Sequence, residues 1–363
     1  MSNVIHLNLA AHRQTRDQRL GALISNFASQ RRVPDDVFWL KENAELLNIL
    51  ECTNTHVGAE RLAPHEGFYA SVERRVSFFP QYYRFLLSIC LDLEDLGMPG
   101  TKGEALAAWV AREELVGAEL SDLQRAEARR LLQRRGAWDA RDDAALVNRL
   151  HEFMERTRTF AIPNKKACYE LTHIVFYLSE YGRRDPEITK ASKESLEFAG
   201  LLAFLDQDAD LLAEICIALR YAGVEPSAIW EGWLARDTHQ FLIETGQNAR
   251  AADDYHTYFV GNWAMGQCGD QIFNQDVAPG RLSFHRPAQA AAPLRQISEY
   301  LFHLRESRSD DWYLMRPLVE NCLSEEGYAI LKEAQSSSPR FEAFFAQFAR
   351  ASQQDGIARE AAL

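Results

Sequence analysis

Three histidines sit in apolar helical surroundings, two of them three residues after an acid: Glu170-x-x-His173 and Asp253-x-x-His256, with His239 between. At that spacing both members of a pair share one helical face. Imidazole is the commonest neutral-pH acid–base group and the commonest metal ligand. Three imidazoles and a carboxylate match zinc or non-haem iron in ligand type. His173, His256, Glu170 and Asp253 are therefore the candidate metal ligands. Glu170, His173 and His239 are the candidate catalytic groups, with Glu170 serving as ligand, orienting partner or general base. Carboxylate-bridged di-metal bundles take an acid-x-x-His pair from each of two helices and one Glu from each of two others. The order Glu94, Glu170/His173, Glu214, Asp253/His256 imitates that plan.

Each residue also has a plainer use. A buried histidine is more often a hydrogen-bonded core residue than a ligand. Asp253 and Asp254 stand where a helix starts, so N-capping is their commonest role. Glu170 has Lys165 and Lys166 about one turn earlier as partners. Trp230, Trp233, Tyr255, Tyr258 and Trp263 recur at helical spacing, which more often builds core than a pocket. The runs Asp92-Leu-Glu-Asp95 and Asp206-Gln-Asp-Ala-Asp210 offer magnesium-type carboxylates, but they lie at helix ends, where solvated charge is usual. No phosphate loop, dinucleotide fingerprint, nucleophile elbow or H-E-x-x-H string occurs, so no nucleotide cofactor is expected.

The elements that must position these groups are helices. Tyr169 to Gly182 is apolar almost all round, as in a helix buried at the centre of a larger protein. Apolar positions at helical period predict helices over 19–31, 37–52, 67–77, 79–96, 101–116, 121–135, 142–158, 165–181, 189–204, 208–221, 228–245 and 253–268. Four more follow between residues 293 and 352. Several end in Gly with Pro soon after, as at Gly97/Pro99, Gly182/Pro186 and Gly223/Pro226. Asp35 and Asp36 can cap the second helix. Residues 271–292 read as a long connection at a site mouth. No run shows sustained period-2 alternation, so the expected class is all-α, a multi-helix toroid-like or orthogonal bundle of helical hairpins. Residues 1–18 are expected to form a flexible arm and 353–363 a flexible tail. A single domain, 19–352, would divide into an N-terminal subdomain (19–140) and a site-bearing one (141–352).

The chain carries 40 Lys and Arg against 52 Asp and Glu, a net charge of -12. That argues against nucleic acid and anionic membranes as partners. No apolar run reaches the roughly 18 residues of a membrane span, and the start lacks a secretory pattern. The six cysteines are scattered without a C-x-x-C pair, and read as reduced, buried thiols of a cytoplasmic protein.

The string Glu170-Leu-Thr-His-Ile-Val-Phe-Tyr-Leu, with Tyr255-His-Thr-Tyr-Phe-Val, resembles E-L-T-H and Y-H-T motifs of uncharacterised bacterial all-helical proteins. The resemblance covers about Lys165 to Gly269. It implies that the two His-bearing helices share one site, and it transfers no function. The first expectation is thus a helical, metal-dependent enzyme acting on a small molecule or peptide. The alternatives are a metal-free His/Glu acid–base enzyme and a non-enzymatic scaffold that binds a protein or peptide.

Overall fold

The computed structural model describes residues 13–34, 36–138, 144–246, 253–287 and 292–351. The expected tail, 353–363, most of the expected arm and Asp35 lie outside them. The first helices are α1 (Arg16–Ser29), α2 (Val37–Cys52), α3 (Glu66–Phe78), α4 (Tyr83–Asp95), α5 (Lys102–Arg112), α6 (Asp122–Gln133), α7 (Ala144–Met154) and α8 (Thr157–Phe160). They continue with α9 (Lys165–Leu178), α10 (Lys190–Leu205), α11 (Ala209–Tyr221), α12 (Ala228–His239), α13 (Tyr255–Gln267), α14 (Pro293–Leu304), α15 (Trp312–Asn321), α16 (Glu325–Ser337) and α17 (Phe341–Ala349). The all-α, multi-helix class holds. Among the described residues no helix is long and apolar enough to cross a membrane.

Local chemistry explains the helix starts. Ser121, Asn164, Thr189, Asp208, Ser227, Asp311 and Ser324 each accept a main-chain N–H of the first turn, satisfying donors that have no partner inside the helix. Asp36 does so for α2 through Phe38 N. Thr15 and Gln18 form a reciprocal capping box on α1. Gln14 is also tied down, its Nε2 donating to Val277 O at 2.8 Å and its Oε1 accepting Val277 N at 2.8 Å. Residues 13–18 are therefore fixed to the body, contrary to the expectation of an arm to residue 18.

The expected helix over 228–245 stops at His239. Leu242–Thr245 is a strand, β1, paired antiparallel with β2 (Leu282–His285) in the register Leu242↔His285, Ile243↔Phe284, Glu244↔Ser283 and Thr245↔Leu282. Phe241, Ile243 and Thr245 are aromatic or β-branched residues that suit a pleated ribbon better than a helix. β2 supplies structure inside the expected long connection.

The hub of the fold is α11, which packs against α9, α10, α12 and α13. Leu212, Ala213, Ile215, Ile217 and Ala218 are fully buried in it. Close approaches depend on two glycines. A Cβ on Gly200 of α10 would fall 2.5 Å from Trp230 of α12. On Gly261 of α13 it would collide with the Thr238 hydroxyl of α12.

Buried ion pairs tie the N-terminal third to the rest. The Arg31 guanidinium meets Glu42 at 3.0 Å and Asp253 at 2.8 Å, all three side chains at most 1% exposed. α2 packs on both α4 and α13. The expected split at about residue 140 is thus bridged by direct contacts, because the apolar face of α2 is shared between both halves.

Candidate functional site

The polar centre lies where α2, α9, α11 and α13 meet, and each helix contributes by its pitch. On α11, Asp210 and Glu214 are four residues apart and face the same way. On α9, Tyr169, Thr172 and His173 occupy one stripe. His256 is the second residue of α13, and Glu45 comes from the middle of α2.

Asp210 joins two helices. Its Oδ1 accepts His256 Nδ1 at 2.7 Å and its Oδ2 accepts the Tyr169 hydroxyl at 2.7 Å. Glu45 accepts the Tyr255 hydroxyl at 2.8 Å through Oε2, and its Oε1 lies 3.7 Å from His256 Nε2. Lys41, one turn before Glu45, is 3.6 Å from it. His256 therefore sits between two carboxylates. Burial disfavours the imidazolium, but the Asp210 hydrogen bond and the charges of Glu45 and Asp210 outweigh that and push its pKa up to about 9. Burial likewise opposes the ionisation of Asp210, yet the bonds and charge from His256 hold it below its usual range.

Glu214 is the opposite case. At 3% exposure, burial pushes its pKa up, with the charge of Asp210 adding to the rise and His173 opposing it. Thr172 Oγ1 lies 2.6 Å from Glu214 Oε2 and 2.9 Å from Tyr169 O. One hydroxyl proton serves only one of these acceptors. The shorter contact is the one to Glu214, whose Oε2 accepts from the Thr172 hydroxyl. His173 Nδ1 donates to Tyr169 O at 2.8 Å, with Glu214 Oε2 farther off at 3.4 Å. In the neutral ring this leaves Nε2 with a free lone pair, and the side chain is 33% exposed.

The structure brings His173 and His256 to one centre, where both act electrostatically on Glu214. It does not bring the other candidates there. Asp253 is spent elsewhere: Oδ2 accepts Arg31 Nη1 at 2.8 Å and Phe284 N at 2.8 Å, and Oδ1 accepts Arg31 Nη2 at 3.0 Å. An aspartate that neutralises a buried arginine and accepts an outer-edge N–H of β2 is not free to bind a metal. His239 is exposed at the end of α12, its Nδ1 donating to Ala235 O at 2.5 Å, and it borders a different cavity. Glu170 is half-buried beside the centre on α9, and no side-chain bond to it is recorded among the described residues. Glu94 belongs to a separate network, accepting Tyr69 Oη at 2.7 Å and Gly103 N at 2.8 Å and pairing with Arg135. Among the described residues no three His, Cys, Asp or Glu side chains stand so as to hold one metal ion.

Both acidic runs weighed for magnesium are paired with cations. Asp92 and Asp95 meet Arg134 at 2.7 and 2.6 Å. Asp206 and Asp208 meet Lys165 at 2.9 and 2.8 Å. The exception is Asp210, the last residue of its run and a central one. Glu45 and Tyr169 were missed as site residues, and Asp210 and Tyr255 were weighed only as a magnesium-type carboxylate and as a core or pocket aromatic. Asp210 and Glu214 at i and i+4 on an otherwise apolar helix was the available signal, whereas nothing in the sequence ties Glu45 to His256. The aromatic candidates are mostly core: Trp230 is 1% exposed, Tyr258 2% and Trp263 5%. None of the six cysteines is bonded to another; four are buried, Cys322 is half-buried and, against expectation, Cys268 is exposed.

Comparison with curated proteins and with solved structures finds no significant match. A family model described as a domain of unknown function, DUF6902, matches residues 1–351, and the chain belongs to that family.

Proposed function

We propose that this chain is a cytoplasmic enzyme that moves protons on a small molecule or peptide, using two imidazoles in opposite roles. His256, held by Asp210, is the proton donor through Nε2–H. His173, turned by the Tyr169 carbonyl, is the acceptor through Nε2. Asp210 and Glu45 favour the protonated form of His256, while the buried Glu214, whose pKa is displaced the opposite way from that of Asp210, lies beside His173. Groups driven apart in this way are a mark of acid–base sites. The observation that carries the reading is the Asp210 carboxylate bonded to both His256 and Tyr169. The six unpaired cysteines support the cytoplasmic placement.

Incubating a small-molecule extract with the chain, and in parallel with His256→Gln and His173→Gln, tests this by mass spectrometry. At least one compound should be consumed by the chain and spared by both variants. Consumption of none, or equal consumption by all three proteins, would refute the proposal.

One observation favours a second, metal-dependent reading. Both imidazoles commit Nδ1 to an oxygen acceptor and leave Nε2 to the site, the habit of metal-bound histidines. Zinc or iron there would use His173 and His256 with Glu45 or Glu214, after side-chain movement to about 2 Å from each donor. Elemental analysis decides: substoichiometric zinc and iron, with unfolding unaffected by a chelator, would remove it.

A further inference from the structure

The C-terminal ends of four helices meet at a cavity of about 590 Å³. Its wall includes Glu51 from the end of α2, Asp95 from the end of α4, Gln133 from the end of α6, and Glu180, Arg183 and Arg184 from the turn after α9. Among the described residues none of the His173–His256 centre lines it. Each helix C-terminus carries roughly half a negative charge. The formal charges around the cavity balance: Arg130, Arg134, Arg135, Arg183 and Arg184 pair with Glu51, Asp92, Glu94, Asp95 and Glu180. The helix ends therefore tip the site toward a further cation. Arg184 already answers one of them, its Nε donating to Leu178 O at 2.8 Å.

The ion pairs leave acceptors over. Glu51 Oε2, Gln133 Oε1 and Glu180 Oε1 are buried without a hydrogen-bond partner among the described residues. In folded proteins the large majority of such groups are satisfied, so each calls for a donor. Glu51 spends only its other oxygen, on Arg183 Nη2. Arg184 Nη2 stands 3.5 Å from Glu180 Oε1 without bonding it. Glu180 is held in place by its backbone: Glu180 and Tyr181 are both left-handed, at φ 50° and 52°, which residues other than glycine seldom adopt. Strain of this kind collects at ligand sites. Arg130, buried behind the wall, secures the turn, 3.2 Å from Glu180 Oε2 and 4.2 Å over the Tyr181 ring.

We propose that this cavity binds a small organic cation with a primary ammonium, whose three N–H groups match the three oxygens left without donors at Glu51, Gln133 and Glu180. Arg183 and Arg184, which touch Glu51 and Glu180 and are 42% and 47% exposed, give way to it, so that one cation replaces another beside the carboxylates. The ligand's carbon chain then lies against Trp138 in the same wall.

NMR titration of the full chain, followed at the Trp138 indole N–H, tests this with butylammonium chloride and with tetramethylammonium chloride, which has the charge but no N–H. Butylammonium should shift the signal to saturation, and tetramethylammonium should bind at least about tenfold more weakly. Gln133→Met removes one acceptor and breaks no recorded ion pair, and should weaken butylammonium by a similar factor. His173→Gln should bind it as the parent does. If Gln133→Met loses helical content by circular dichroism, Glu51→Gln takes its place. No saturable shift, equal binding of the two cations, or binding indifferent to the acceptor variant overturns the proposal. So does saturation by sodium phosphate in place of butylammonium, which would make the arginines an anion site.

Discussion

Replacing Asp210 by Asn removes a charge while keeping an oxygen for His256 Nδ1 to donate to. Asp210 is the nearest acid to that ring, at 2.7 Å against 3.7 Å for Glu45. The rise of His256 from an ordinary 6.5 to about 9 corresponds to about 3 kcal/mol, at about 1.4 kcal/mol per pH unit. The ring is 32% exposed, so solvent screening reduces the expected effect to about 1–2 kcal/mol. A raised folded-state pKa means that the protonated ring favours the folded chain. The contribution is complete below about pH 6.5 and is lost as the pH rises through about 9. In Asp210→Asn the His256 midpoint, followed by NMR of its ring Cε1–H, should fall by about one pH unit or more. Urea unfolding between pH 6 and 9.5 should show the variant losing less stability with rising pH than the parent. A parent His256 that titrates at 6.5 or below, or an unchanged midpoint in the variant, would refute the reasoning.

Further outcomes follow from the same structure. Glu214→Gln should be no less stable than the parent at pH 5 and more stable at pH 8 by urea unfolding, because burial raises the pKa of the carboxyl and its ionisation in the folded chain is unfavourable. Arg31→Met should cost about 3–5 kcal/mol in the same assay, since it leaves Glu42 and Asp253 buried without their cation. Gly200→Leu should cost about 1–3 kcal/mol or more through the clash with Trp230, and the Trp230 fluorescence should report the displacement. His239→Ala should leave both stability and any activity that depends on His256 unchanged, because that ring is exposed and borders another cavity.

The helical character of this chain was legible in its apolar spacing and punctuation. The bounds of α2 came out to the residue, and α9, α10 and α11 to within three, because caps such as Asn164, Thr189 and Asp208 and stops such as Gly182 and Gly223 are local signals. That α9 and α13, the helices carrying His173 and His256, are largely buried was also readable, from their apolar sequences. The break after His239 was not, since the ribbon preference of Phe241, Ile243 and Thr245 takes effect only when β2, some forty residues later, offers its edge. Nor was the division of labour among the acids. Asp253 and Asp210 are each an aspartate at a helix start, and only the position of Arg31 consumes one and frees the other for His256. Propensity and capping act over a few residues and are written in the sequence. Which carboxylate meets which cation depends on where helices 30 to 220 residues apart are packed, and the tertiary structure alone decides that.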